Sequence, residues 1–196
     1  MKNQNFIKPS IKLETINLNT NKYLIDTLIA DVYLSNNEEG TSSINLRPII
    51  YLALDIHSKL IAGIYVDTLK DQFFNGVKKV INNCIEDKTE FCKKYNIEIT
   101  NEWPLIGVPH TILLDIEEDN NHELLRRIVE ELHIAVEYDR YLLTKTNGYT
   151  ERIFNKINNK AKHQLENRID IYDFTRMVIN TVTEHNKNII DKYHQS

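Results

Sequence analysis

The chain has 196 residues, 41% of them hydrophobic and 27% charged, which suits one globular domain with a buried core and room for a helical appendage. A net charge of −4 argues against a stand-alone nucleic-acid binder that grips through a globally basic surface, but not against a catalytic core acting on DNA. No cationic-apolar leader or long apolar run occurs, so neither secretion nor a membrane partner is expected.

Residues 1–21 are polar and weakly patterned and read as an arm or linker remnant. Lys22–Ser35, Arg47–His57 and Leu60–Thr68 read as strands with short links, most simply an antiparallel meander. Asp71–Tyr95 reads as one helix with Phe74, Val77, Val80, Ile81, Cys84 and Ile85 on one side. On such a helix Cys84 and Cys92 stand roughly 12 Å apart along the axis, too far for a disulfide, and reduced cytosolic thiols are expected. A loop with Trp103-Pro104 and Val108-Pro109 leads into a strand over Thr111–Asp115. Asn121–Leu132 is an amphipathic helix and His133–Tyr138 a short strand. Asn147-Gly148 is expected to break the chain before a helix that carries Glu151, and a last helix covers Tyr172–Lys192.

This order predicts an α/β fold of ribonuclease H-like layout. Its mixed sheet has three antiparallel strands followed by βαβα, with helices on both faces and a further C-terminal helix. The expected division is an arm over 1–21, a core over 22–168, and a C-terminal helix within 169–196 packing on or extending from it.

Three acids stand where a sheet calls for hydrophobes. Asp26 interrupts Leu24-Ile25-Asp26-Thr27-Leu28-Ile29, Asp115 ends the apolar run Thr111-Ile112-Leu113-Leu114, and Glu151 follows Asp115 after the thirty-five residues 116–150. Each has a plain alternative: a strand face open to solvent for Asp26, turn chemistry for Asp115, a solvated helix position for Glu151. Together they point to a divalent-cation site, because a bound cation offsets the cost of burying carboxylates. Mg²⁺ takes oxygen ligands and keeps several waters, so a few carboxylates plus substrate phosphate suffice. Two such ions can activate an attacking oxygen and stabilise a leaving one in phosphoryl transfer. Asp55 also lies in an apolar strand and reads either as a turn cap or a fourth ligand, whereas Asp31 reads as solvated.

Arg152, Lys156 and Lys160 recur along the helix after Glu151, within a segment, 140–168, that holds seven Lys/Arg and two Glu. That face reads as a phosphate track or as a solvated surface. No Gly-x-x-x-x-Gly-Lys loop, nucleophile elbow or zinc-ligand spacing is present.

The sequence resembles the retroviral-integrase-type DDE transposases, and most closely their TnsB-like subunits, with the Mu phage transposase more distant. The resemblance rests on Ile25-Asp26-Thr27-Leu28 through Leu34, Arg47-Pro48 through Gly63, Trp103-Pro104 through Asp115, and Asn147-Gly148-Tyr149-Thr150-Glu151-Arg152-Ile153-Phe154. It implies a DDE-motif catalytic core in which Asp26, Asp115 and Glu151 bind Mg²⁺ or Mn²⁺, two ions being expected with DNA bound. The implied reaction is strand cleavage followed by attack of a 3′-hydroxyl on target DNA, with no covalent protein intermediate. The partners implied are transposon ends and target DNA, a separate endonuclease subunit, an ATP-dependent regulator and further copies of the chain assembled on DNA, all in the bacterial cytosol or nucleoid.

The chain departs from the family pattern at Thr27-Leu28 after the first acid, at Ile116-Glu117-Glu118 after the second, and at Thr150 before the third. The extra acids beside Asp115 narrow or repel a DNA approach. An active transposase core is the reading favoured. The alternatives are a catalytically inactive core that serves as a DNA-binding or assembly module, and a nuclease that cuts without joining. The family's flanking DNA-binding modules and β-barrel do not fit in this length, so an excised core or truncated protein is expected.

Overall fold

In the computed structural model the described residues are 22–34, 46–68, 73–104, 107–114, 122–163 and 169–195, with the side chains of His122 and Leu124 left aside. The expected N-terminal arm lies outside them. Ten elements follow in order: β1 (Lys22–Ile29), β2 (Ile49–Asp55), β3 (Ile61–Asp67), α1 (Phe73–Ile85), α2 (Lys88–Lys93), β4 (Thr111–Leu114), α3 (His122–Leu132), β5 (Ala135–Glu137), α4 (Arg140–His163) and α5 (Ile171–Tyr193).

The strands form one five-stranded sheet in the order β3-β2-β1-β4-β5. β1, β2 and β3 pair antiparallel, while β4 joins β1 and β5 joins β4 in parallel. This is the mixed ribonuclease H-like sheet expected from the sequence. The parallel pairs require crossovers, and helices supply them. One face carries α1 and α3 over Tyr23, Ile25, Tyr51, Ala53, Ile112 and Leu114. The other carries α4 and α5 over Leu24, Leu52, Leu54, Ile64 and Leu113. β2, with neighbours on both edges and helices on both faces, is buried at every position.

Strand β1 is shorter than expected, ending at Ile29 rather than Ser35. Its ladder with β2 reaches Pro48, whose carbonyl accepts the Ala30 N–H (2.8 Å) but which has no N–H to return. The single helix expected over Asp71–Tyr95 is two. Asp87 caps α2, its carboxylate accepting the Glu90 N–H at 2.9 Å. Lys88 turns inward at the break, donating to the carbonyls of Asn83 and Glu86. The two thiols consequently sit in opposite cores.

The break expected at Asn147-Gly148 is absent: α4 begins at Arg140, after Asp139 accepts the Leu142 N–H at 3.0 Å, and runs through both residues. A helix-interior glycine costs only about 1 kcal/mol. Burial of Leu143, Thr146, Thr150, Ile153 and Phe154 along one stripe outweighs that.

The edge strand β3 is closed by side chains from both layers. Asn186 of α5 accepts the Ile61 N–H (2.7 Å) and donates to the Ile61 carbonyl (3.0 Å). Asn83 of α1 accepts the Ile64 N–H at 2.9 Å. The Ile61 and Ile64 backbone groups that would otherwise invite another strand are thus satisfied internally. Among the described residues no helix is long and apolar enough to cross a membrane.

Candidate functional site

Side chains of β1 alternate between the two cores. Tyr23 and Ile25 face α1 and α3, and Leu24 and Leu28 face α4 and α5. Asp26 shares the parity of Leu24 and Leu28, and so stands on the α4 side, opposite Leu52 in the β2 ladder. Burial falls at this residue, from buried at 23–25 to partly exposed at 26 and 28 and exposed at 27 and 29. The described ladder with β4 ends one residue earlier, at Ile25↔Leu114. Asp26 is therefore the first residue of β1 beyond its described parallel partner. Its Oδ1 accepts the Thr27 N–H at 2.7 Å, which holds the carboxylate against the strand.

Glu151 is exposed on α4, beside the buried Thr150, Ile153 and Phe154. At 3.6 residues per turn, Asn158 and Lys162 fall within about 20° of Glu151 around the helix. Both touch the segment that follows β1: Asn158 accepts the Asp31 N–H at 3.1 Å, and Lys162 pairs with the Asp31 carboxylate at 2.9 Å. Arg47 adds a hydrogen bond to the Ala30 carbonyl (2.9 Å) and a longer contact to Asp31 (3.5 Å). The line of α4 that bears Glu151 is thus stitched to the chain leaving Asp26. Asp31, expected only to be solvated, is exposed but tied to three partners, and the Lys162 hydrogen bond holds its carboxyl below the usual range. The seven-residue spacing from Glu151 to Asn158 is the signal in the sequence that could have exposed this contact.

Asp115 lies outside the described residues. Among the described residues no three His, Cys, Asp or Glu side chains are grouped to hold a metal ion.

The basic residues after Glu151 turn away from it. Arg152, Lys156 and Lys160 stand about 100°, 140° and 180° around the helix. Lys156 and Lys160 reach Glu184 of α5 at 3.5 and 3.0 Å, and the Lys160 hydrogen bond keeps the Glu184 carboxyl below the usual range. Arg152 donates to the Gly148 carbonyl (2.7 Å) and lies over the Tyr149 ring, 4.8 Å from its centroid.

Asp55 proves to be the turn cap rather than a partner of Asp26. It is buried, and its Oδ2 accepts both the Ser58 N–H (2.9 Å) and hydroxyl (2.5 Å). It pairs with Tyr23, three residues along β1 from Asp26. Burial pushes the thiols of Cys84 and Cys92 up to about 12 and about 11, so neither is a nucleophile near neutral pH.

Comparison with known proteins bears on this arrangement. The TnsB C-terminal domain family matches residues 24–167, well over half of the chain. The transposition protein TnsB of transposon Tn7, from Escherichia coli, is 25% identical over 193 residues, covering 88% of this chain and 27% of that protein. The chain therefore spans about a quarter of the length of this relative. The catalytic core domain of BIV integrase aligns over 82% of this chain and 81% of its own, with 9% identity and a TM-score of 0.44. The Mos1 mariner paired end complex with Mn aligns over 89% and 56%, with 10% identity and a TM-score of 0.35. With residues 24–167 matched across β1 to α4, the chain belongs to the TnsB C-terminal domain family.

Proposed function

We propose that this chain is the catalytic core of a DDE transposase that cleaves DNA and joins 3′ ends by metal-dependent phosphoryl transfer. The observation that carries this reading is that Asp26 stands on the α4 side of the central strand while Glu151 stands on an α4 line stitched to the segment after β1. Asp115 enters through the chain itself. It is bonded to Leu114, the ladder partner of Ile25, and consecutive Cα atoms lie about 3.8 Å apart.

The donor set fits Mg²⁺ or Mn²⁺: carboxylate oxygens are the hard ligands these ions take, and Asp26 is partly open to solvent. Two ions, when bound, supply activation of the attacking oxygen and stabilisation of the leaving one. Asp26, Asp115 and Glu151 would hold them. Thr27, through its N–H, keeps the Asp26 carboxylate oriented. Arg152, Lys156 and Lys160 contact DNA phosphates. Arg152 has no carboxylate partner among the described residues and meets phosphate first, whereas Lys156 and Lys160 must share theirs with Glu184. Transposon ends, target DNA, copies of the chain assembled on them, an endonuclease subunit and an ATP-dependent regulator are the partners this reading supplies.

The test is a strand-cleavage and joining assay in Mg²⁺ or Mn²⁺ with the full-length protein and its own transposon ends, against Asp26→Asn and Glu151→Gln. Both variants should lose at least a hundredfold in product while melting like the parent. Parent protein that binds its ends but neither nicks nor joins them would sink the proposal in favour of an assembly module. Nicking without joining would leave a nuclease.

A further inference from the structure

A groove of about 760 Å³ opens between the β2–β3 turn, α4 and the C-terminal half of α5. It lies on the flank of α4 turned away from Glu151, since Arg152 and Lys156 line it while Asn158 and Lys162 meet Asp31. Its charged lining is four cations, Lys59, Arg152, Lys156 and Lys192, against one carboxylate, Asp191. That concentration occurs in a chain whose net charge is −4.

Two of the cations are gathered on one ring. Lys59 Nζ lies 5.3 Å and the Arg152 guanidinium 4.8 Å from the centroid of Tyr149. Cation–π attraction draws like charges together here. No carboxylate stands within ion-pair distance of Lys59, Arg152 or Lys192 among the described residues. Lys59 is held in an unusual backbone. Its φ is 64°, a left-handed conformation that asparagine or glycine adopts at lower cost. Its carbonyl is fixed by the His185 Nε2–H at 2.9 Å, and its N–H donates to the Asp55 carbonyl at 2.9 Å. The turn thereby brings the partly buried Lys59 side chain to the groove from a rigid mount, its ammonium also donating to the Ile56 carbonyl.

The geometry points to an extension of the phosphate contact proposed at Arg152: this groove binds backbone phosphates of DNA through Lys59 and Lys192 together with Arg152, on the flank of α4 away from the Asp26–Glu151 face. Charge complementarity favours phosphate, and the groove is far larger than one phosphate group, which favours a strand. The inference takes the polymer's identity from the proposed DNA-acting function, but does not depend on the three acids.

Binding of a labelled short duplex by anisotropy, across a salt series in EDTA, tests it without metal or catalysis. The variants are Lys59→Asn, which suits the left-handed backbone, Lys192→Gln, and the two combined. Each lost phosphate contact should lower the slope of log K against log salt by about 0.9, so the double variant should lose about 2. Lys59→Arg should keep the parent slope if charge, not turn structure, is what matters. Parent protein that does not bind the duplex, or a double variant with unchanged affinity and slope, overturns the inference. Inorganic phosphate titrated by calorimetry separates the sources: saturable phosphate binding lost in the double variant, with no change in the DNA slope, overturns the nucleic-acid assignment. A changed slope in a protein that fails the joining assay leaves this groove standing while the catalytic reading falls. An unchanged slope in a protein that joins DNA does the reverse.

Discussion

Replacing Asn186 by leucine should destabilise the fold far more than a single polar-to-apolar change in a helix ordinarily does. The side chain is fully buried and makes two hydrogen bonds to one residue of the edge strand, accepting from Ile61 N–H at 2.7 Å and donating to its carbonyl at 3.0 Å. Ile61 is itself fully buried, so no bulk water replaces the lost partner. A buried polar group left unsatisfied costs about 1–3 kcal/mol, and two are orphaned at once. Leucine matches the branched shape and heavy-atom count, though it is larger, and gains apolar burial, which offsets part of that, leaving an expected loss of about 3 kcal/mol. Domains are stable by only about 5–15 kcal/mol, so this is a large share. Urea unfolding followed by circular dichroism should show a lower midpoint at unchanged m, and the Ile61 amide should lose hydrogen-exchange protection first. A loss below about 1 kcal/mol with Ile61 still protected would refute the idea that Asn186 closes this edge.

Gly148→Ala should stabilise the protein by about 0.5–1 kcal/mol, because the glycine lies inside α4 and an added Cβ meets nothing within 4 Å. A destabilised variant in thermal melts would mean that α4 does break there. Gly76→Ala should do the opposite, since its Cβ would run into the Tyr51 ring at Cζ. An overpacking cost of about 1–3 kcal/mol, less the helix-propensity gain, is expected in the same melts, and a neutral result would refute the close α1–β2 packing. His185 is held below the usual histidine range, chiefly by burial and also by Lys156, Arg152 and Lys192. The unfolded chain binds the proton more readily, so stability should fall as pH drops below about 6.5. His185→Gln should flatten that part of the pH–stability curve, and an unchanged slope would show that another group causes it.

Much of the fold was legible because its signals are local. The β-rich apolar runs of β1 to β3 and the apolar stripes of α3 and α5 lie within single segments, and most of these elements formed close to where their patterns stand. The errors were local rules overruled at a distance. Asn147-Gly148 is a turn signal in isolation, yet the stripe from Leu143 to Ala161 pays for helix by packing on the sheet. The apolar period over 71–95 does not reveal that Asp87 and the inward Lys88 restart the helix.

For the candidate site, the chain alone supplied Asp26, Asp115 and Glu151 by spacing and resemblance. That Asp26 and Glu151 lie on one face of the sheet follows from the crossover that adds β4 beside β1 and lays α4 over it. Helix phase turns the basic flank away from Glu151, but that it meets Glu184 of α5 is decided by how the two helices pack. The Asn186–Ile61 and Lys59–Tyr149 pairs, 125 and 90 positions apart in the sequence, likewise exist only once the layers are stacked. Periodicity records which side of an element is apolar, because that preference acts within a few residues. Which partner meets the polar side is settled by loop crossings and layer order, and no window along the chain contains both.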